Sequence, residues 1–137
     1  MKIRRVSFDY DFTLDREDVQ NYAKYLMSKG VEVWVTTSRE TDESINAKRA
    51  YPETWKYPPN WELYRDTDRL EIPRDRINFT AWVDKWTVIK NNNFIWHLDD
   101  DDVEIEQAIE WDCDCPFINV EIDGWKDECE RLLNIKI

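Results

Sequence analysis

A single histidine, three cysteines and a shortage of basic residues mark this chain of 137 residues. The histidine, His97, sits in the middle of the apolar run FIWHL, where a side chain packs or hydrogen-bonds inside a sheet, so an imidazole-based mechanism is not expected. The cysteines, Cys113, Cys115 and Cys129, are odd in number, and two of them stand one residue apart, which is poor disulfide geometry. Reduced thiols are expected, and one CxC without a second pair lacks the spacing of a zinc site. No stretch approaches the ~18 apolar residues of a membrane span, and the charged start MKIRR leads into a strand rather than the core of a signal peptide. A cytoplasmic protein without a membrane partner is the expectation. Lys and Arg number 19 against 30 Asp and Glu, a net charge of −11. That field disfavours long nucleic acid as a partner unless basic groups cluster locally.

What is present is enough to build a core. Hydrophobic residues make up 42% and aromatics 14%, with eight Trp, so a charged fraction of 36% does not signal disorder. The length suits one domain over residues 1–137, at roughly 100 to 200 residues each. Ile3, Val6 and Phe8 mark a first strand. Asp15 is placed to cap a helix whose apolar residues Val19, Tyr22, Ala23, Leu26 and Met27 recur at helical spacing, and Gly30 ends it. The β-branched run VEVWVTT (31–37) follows as a crossover strand. Residues 38–61 read as an irregular insert, broken by Pro52, Pro58 and Pro59, with room for one short helix. A weakly helical stretch from Trp61 to Leu70 precedes a third strand in RINFT (76–80). Thr80 is then expected to cap a helix with Trp82, Val83, Trp86 and Ile89 as its apolar stripe, stopped at Asn91 to Asn93. FIWHL is the fourth strand. An acidic helix through Ile105, Ala108 and Ile109, a fifth strand in PFINVEI and a last helix with Trp125, Cys129, Leu132 and Leu133 follow. Strands alternating with helices predict an α/β fold, a three-layer doubly wound sheet of about five parallel strands in the order 3-2-1-4-5.

The chemistry lies where the apolar strands give out. Asp9 and Asp11 stand at alternate positions past the first strand and share one side of an extended chain. In the expected order the fourth strand is its neighbour, and that strand opens onto four consecutive aspartates, Asp99 to Asp102. Asp9 and Asp11 then face Asp99 and Asp100 across one crevice at the carboxyl ends of the strands, where open α/β sheets bind ligands. One carboxylate can attack while another moves a proton, which reads as phosphoryl transfer. Asp101, Asp102, Glu104 and Glu106 read as helix-start acids favoured by the macrodipole. A calcium loop over DYDFTLDREDVQ fails, because Leu14 stands at its turn glycine and Gln20 at its final glutamate. Arg39 carries a forked donor that could reach a phosphate, with a salt bridge to Glu40 or Asp42 as the alternative, and Lys48 and Arg49 share the phosphate option. Trp55, Tyr57 and Trp61, in or beside the insert, are candidates to contact a base or another flat group.

The segment FDYDFTLD resembles the first motif of the haloacid dehalogenase-like hydrolase superfamily, an apolar strand followed by DxDxT, and three further motifs have counterparts in the same order. The resemblance implies Asp9 as nucleophile and Asp11 as general acid/base. Thr37 of VWVTTSR resembles the threonine of the second motif, with Thr36 as the alternative, and would donate a hydrogen bond to the transferring phosphoryl group. Lys85, in preference to Lys90, matches the lysine that holds nucleophile and phosphate together. FIWHLDD resembles the fourth motif, which implies a Mg²⁺ site formed by Asp99 and Asp100 with Asp9 and Asp11. Phe12 stands where many members carry glycine, and the insert is too short for a large cap, as in capless members. The expected activity is a Mg²⁺-dependent phosphatase, hydrolysing phosphomonoesters through an aspartyl-phosphate, with a phosphorylated small molecule such as a nucleotide as substrate. A catalytically weak binding or regulatory module and a polynucleotide end phosphatase are the alternatives.

Overall fold

Five strands run parallel in the order β3-β2-β1-β4-β5, the doubly wound arrangement that the alternation of strands and helices predicts. The computed structural model describes residues 3–48 and 58–135, so Arg49, Trp55 and Tyr57 lie outside the described residues. The strands are β1 (Arg5–Phe8), β2 (Glu32–Thr37), β3 (Ile77–Phe79), β4 (Phe94–Asp99) and β5 (Phe117–Asn119). Around them lie α1 (Glu17–Ser28), α2 (Asp42–Ala47), α3 (Trp61–Arg69), α4 (Trp86–Ile89), α5 (Asp102–Glu110) and α6 (Trp125–Ile135). β1 is central, with Phe8 in register with Val35 of β2 and with Leu98 of β4. Among the described residues no helix is long and apolar enough to cross a membrane.

The two faces of the sheet differ in chemistry. Val6 and Phe8 of β1, Val33 and Val35 of β2, and Trp96 and Leu98 of β4 are buried in one apolar cluster with residues of α1 and α6. Trp96 meets Phe8 edge-on at 5.3 Å between centroids, stacks on Tyr22 of α1 and donates its indole N–H to the Cys129 carbonyl of α6 at 3.1 Å. Each such side chain contributes ~1.5–3 kcal/mol by leaving water. The side chains between them point the other way, because successive residues of a strand alternate. There Ser7, Thr36 and His97 are completely buried although polar. α4 and α5 lie over this face, joined by the stacked rings of Trp86 and Trp111.

Several expected elements begin elsewhere. Ile3 precedes β1 and is exposed. Asp15 does not cap α1: its backbone is already helical at φ −72° and ψ −9°, its N–H bonds the Tyr10 carbonyl, and Arg16 is the residue that enters the helix. A cap needs an extended backbone, and the preceding turn has consumed Asp15. The helix expected from Thr80 shrinks to α4, which Lys85 precedes. Ala81 and Trp82 donate their N–H groups to the carbonyls of Arg39 and Ser38 in the loop after β2, at 3.2 and 2.9 Å, and their backbones are left-handed at φ 52° and 70°, which no right-handed helix contains. Trp82 and Val83 are accordingly exposed rather than core, and so is Ile109 of α5.

Candidate active site

The carboxyl end of β1 is stitched into the sheet before it turns. Asp9 donates its N–H to the Leu98 carbonyl of β4 at 2.8 Å. The chain then makes a wide turn over Tyr10–Leu14, closed by Leu14 N–H on the Asp9 carbonyl at 3.1 Å and Asp15 N–H on the Tyr10 carbonyl at 3.2 Å. Tyr10 roots this turn in the body of the protein. Its hydroxyl donates to Asp66 Oδ2 at 2.6 Å, and Asp66 is itself buried on α3 and paired with Arg65 and Arg69. Burial first, and Asp66 next, push the Tyr10 phenol far above its ordinary range, so it stays a donor.

Three acids from opposite ends of the sequence meet beside β1. Asp9, Asp99 and Asp100 each offer a carboxylate oxygen within 4.8 Å of the others. Lys85, arriving just before α4, sets its Nζ between two of them, 2.9 Å from Asp9 Oδ1 and 2.8 Å from Asp99 Oδ2. All three of these side chains are nearly inaccessible to solvent. Burial opposes the charge on Lys85, yet Asp9 and Asp99 outweigh it and hold the ammonium above the usual lysine value. Burial, and then the charge of Asp99, push the Asp9 carboxyl well above its usual range, against the pull of Lys85. Lys90 stands apart, its Nζ 3.2 Å from the Trp111 carbonyl and 6.0 Å from the centre of the Trp86 ring.

Asp99 is held by four donors. Lys85 and His97 both reach Oδ2 at 2.8 Å, and the N–H groups of Asp100 and Asp101 reach Oδ1 at 2.9 and 3.1 Å. Burial works against ionisation, but the bonds from His97 and Lys85 prevail and keep this carboxyl below the usual range. Burial also lowers the His97 pKa, which makes it a neutral imidazole. A carboxylate can only accept, so His97 donates from Nε2 and must accept at Nδ1. The direction of the remaining bonds follows: Ser7 Oγ donates to His97 Nδ1 across 2.9 Å, and Thr36 Oγ1 donates to Ser7 Oγ across 2.8 Å. A continuous line of hydrogen bonds thus runs from β2 through β1 to Asp99.

Asp11 takes a different partner. Arg39 grips it through one edge of its guanidinium, Nε to Oδ2 at 2.9 Å and Nη2 to Oδ1 at 2.7 Å, while lying 5.1 Å from the centre of the Tyr10 ring. Asp11 is not among the three clustered acids, and the Glu40 and Asp42 partners weighed for Arg39 bind Lys48 and Asn60 instead. Thr37 is fully buried, its Oγ1 accepting the Arg39 N–H at 3.2 Å. Thr36 lies in the hydrogen-bonded line. Asp101 caps α5 through Val103 N–H, as its helix-start position suggests, whereas Glu104 is buried and accepts the Lys85 N–H at 3.0 Å.

These groups line one open crevice of about 630 Å³, within the size range of small-ligand sites. Its walls carry Asp9, Asp11, Asp100, Asp101 and Asp102 against Arg39 and Lys85. Two aromatic side chains complete the walls, Phe12 and Trp82, exposed by 71% and 75%. Both have left-handed backbones, at φ 60° and 70°, which costs about 1–2 kcal/mol for a residue with a side chain. Neither position was legible in the sequence as a site residue, since Trp82 falls in phase with the stripe Trp86 and Ile89.

The donor set suits a hard divalent cation such as Mg²⁺, which prefers carboxylate oxygens and keeps open positions for water or phosphate. Asp9 and the half-buried Asp100 can supply oxygens directly. Asp99 could do so only by giving up one of its four donors, so it reads as the group that fixes Lys85. Trp61 of α3 is partly exposed, with the Arg65 guanidinium 5.1 Å from its ring centre. Comparison of the chain with protein-family models, with curated proteins and with solved structures finds no match.

Proposed function

We propose that this chain is a Mg²⁺-dependent phosphomonoesterase of the haloacid dehalogenase-like type, with Asp9 as nucleophile. The observation that carries the reading is the Lys85 ammonium held at 2.9 and 2.8 Å between Asp9 and Asp99, beside Asp100 and open to the crevice through Asp9. With Oδ1 of Asp9 held by Lys85, the attacking atom is Oδ2, whose contact with Thr13 Oγ1 is long at 3.5 Å. In the first step this oxygen bonds to phosphorus as the ester P–O bond breaks, and Asp11, once released from Arg39 and carrying a proton from solvent, gives that proton to the leaving oxygen. In the second, water attacks phosphorus, Asp11 takes its proton, and the bond to Asp9 breaks to release inorganic phosphate. Arg39 restrains Asp11 before substrate arrives, and an incoming phosphate offers the same guanidinium a second anionic partner. Mg²⁺ at Asp9 and Asp100 would supply the positive charge that lets a phosphate enter a crevice lined by five acids and two bases.

The test is phosphate release from a generic aryl phosphate in Mg²⁺, with loss of activity on adding EDTA or on the change Asp9→Asn. Absence of turnover over a broad phosphate panel by folded protein overturns the reading. The Arg39–Asp11 ion pair favours a second one, a binding module with little chemistry. A stoichiometric partner retained unchanged by Asp9→Asn would support that instead.

A further inference from the structure

Phe12 and Trp82 stand out among residues with positive φ. Glu71 and Asp112 have left-handed backbones one residue past the C-cap of a helix, where that conformation is ordinary, and Asn91 and Asn93 lie in a turn and are of a residue type that adopts it readily. Phe12 and Trp82 follow no helix; Trp82 shares its conformation with Ala81 in the tight turn closed by Val83 N–H on the Thr80 carbonyl at 3.1 Å, a place that glycine or asparagine fills more readily than tryptophan. Phe12 lies inside the turn that carries Asp11, and Trp82 in the loop after β3, pinned by its N–H to the Ser38 carbonyl at 2.9 Å. Glycine would relieve the backbone at both places and leave less apolar surface in water. The chain instead presents a large ring at each, and both rings line the crevice that holds Asp9 and Lys85. Exposed apolar residues are common singly. What distinguishes these two is the conjunction of exposure, left-handed backbone and a shared crevice wall.

Resting on the phosphomonoesterase reading, we propose that the substrate carries a flat aromatic group close to its phosphate, and that Phe12 and Trp82 hold this group by stacking while the phosphate meets Lys85 and Asp9. Two different loops present the rings, and each loop is tied to a residue of the site: Leu14 N–H bonds the Asp9 carbonyl, and Ala81 N–H bonds the Arg39 carbonyl. The ring positions are therefore set relative to the phosphate position. Stacking tolerates any flat face, so a nucleobase and a simple aryl group share the required chemistry.

The experiment compares kcat/KM for adenosine 5′-monophosphate, benzyl phosphate and ribose 5-phosphate on the full chain with Mg²⁺. All three release an alkyl oxygen, so leaving-group strength does not confuse the comparison. The ring-bearing esters are expected to exceed ribose 5-phosphate by roughly tenfold or more, mainly through KM. The nucleotide ahead of benzyl phosphate identifies a base as the occupant, and the two equal identify any flat ring. Phe12→Ala and Trp82→Ala should each reduce the ratio of ring-bearing to ringless kcat/KM by roughly tenfold, and Trp82→Phe should retain it. Should an alanine variant fail to fold by circular dichroism, the glycine variant, suited to positive φ, replaces it. Equal kcat/KM for ring-bearing and ringless esters, or a ratio unmoved by both variants, overturns the proposal and leaves the phosphatase standing. If nothing is hydrolysed, titration calorimetry with Mg²⁺ decides. Adenosine 5′-monophosphate binding at least tenfold tighter than inorganic phosphate, and weakened by Trp82→Ala, keeps the stacking site and removes the hydrolase; equal or absent binding removes both.

Discussion

The two faces of the central strands are equally buried and chemically opposite. On one side Val6, Phe8, Trp96 and Leu98 pack against α1 and α6; on the other Ser7, His97 and Asp99 form a hydrogen-bonded line that ends at Lys85 and Asp9. The apolar face gains from leaving water, whatever its detailed arrangement. The polar face loses by leaving water unless every donor finds an acceptor, so its geometry is far more restricted. One side of the same strands supplies cohesion, and the other supplies a fixed arrangement of charge.

The largest expected effect separates activity from stability at Asp9. Asp9→Asn should reduce the proposed phosphatase activity by at least about 10³-fold. It should also stabilise the fold at neutral pH. Because burial and Asp99 raise the folded pKa of Asp9 above its unfolded value, its contribution to stability is full below the unfolded pKa and lost as pH rises through the folded one. Asparagine, neutral throughout, escapes that loss. A thermal melt at pH 7 lower than wild type would contradict the assignment of Asp9 as the strained group.

Next comes the apolar layer, where Leu26→Ala on α1 should cost ~3 kcal/mol in urea denaturation by opening a cavity. Its effect should add to that of Asp9→Asn, since the two sit on opposite sides of the sheet. Lys85→Ala should cost a similar ~3 kcal/mol by leaving two buried carboxylates without their cation. Here additivity should fail: with Asp9→Asn already present, the loss should be clearly smaller. Equal losses in both backgrounds would show that Lys85 and Asp9 do not share charge.

The smallest effect is a slope. His97 has a folded pKa below its unfolded value, so the unfolded chain takes up a proton first as pH falls below ~6.5. Its contribution to stability is present above that pH and lost as pH falls towards the folded value. His97→Gln should remove this part of the acid dependence between pH 6.5 and 5, on the order of 1 kcal/mol, seen as a flatter plot of denaturation midpoint against pH. An unchanged plot would mean that His97 takes up its proton equally in the folded and unfolded chain, and a steeper fall in the variant would mean that it is charged in the folded state, with the Ser7 and Thr36 bonds reversed.

Much of the fold was legible because its signals are local. The runs 31–37 and 94–98 are apolar and β-branched or aromatic, each arrives at a polar or acidic end, and a helical stripe lies between the first two strands. The strand order followed, and with it the meeting of Asp9 with Asp99 and Asp100. Lys90 was set aside in the sequence for its distance from the strand ends, and it is Lys85 that contacts Asp9 and Asp99. The expected helix from Thr80 was not borne out, because Ala81 and Trp82 turn left-handed where they bond to the loop after β2. No periodicity within residues 80–89 reports a competitor some forty positions earlier, by subtraction of Ser38 from Trp82. For the same reason Trp82 passed for core, and the pairing of Arg39 with Asp11 was not among the partners read for it.

The sequence by itself determined the alternation of elements and the placing of acids at strand ends, since both depend on residues that are close along the chain. Only the tertiary structure decided which acid Lys85 holds, that Arg39 grips Asp11, that Asp99 is saturated by four donors, and that two aromatic rings stand at the mouth of the crevice. Lys85 and Asp9 are 76 positions apart. The contact between them exists because β1 and β4 are neighbours and because α4 lies over their polar face, and that packing is a property of the whole folded chain.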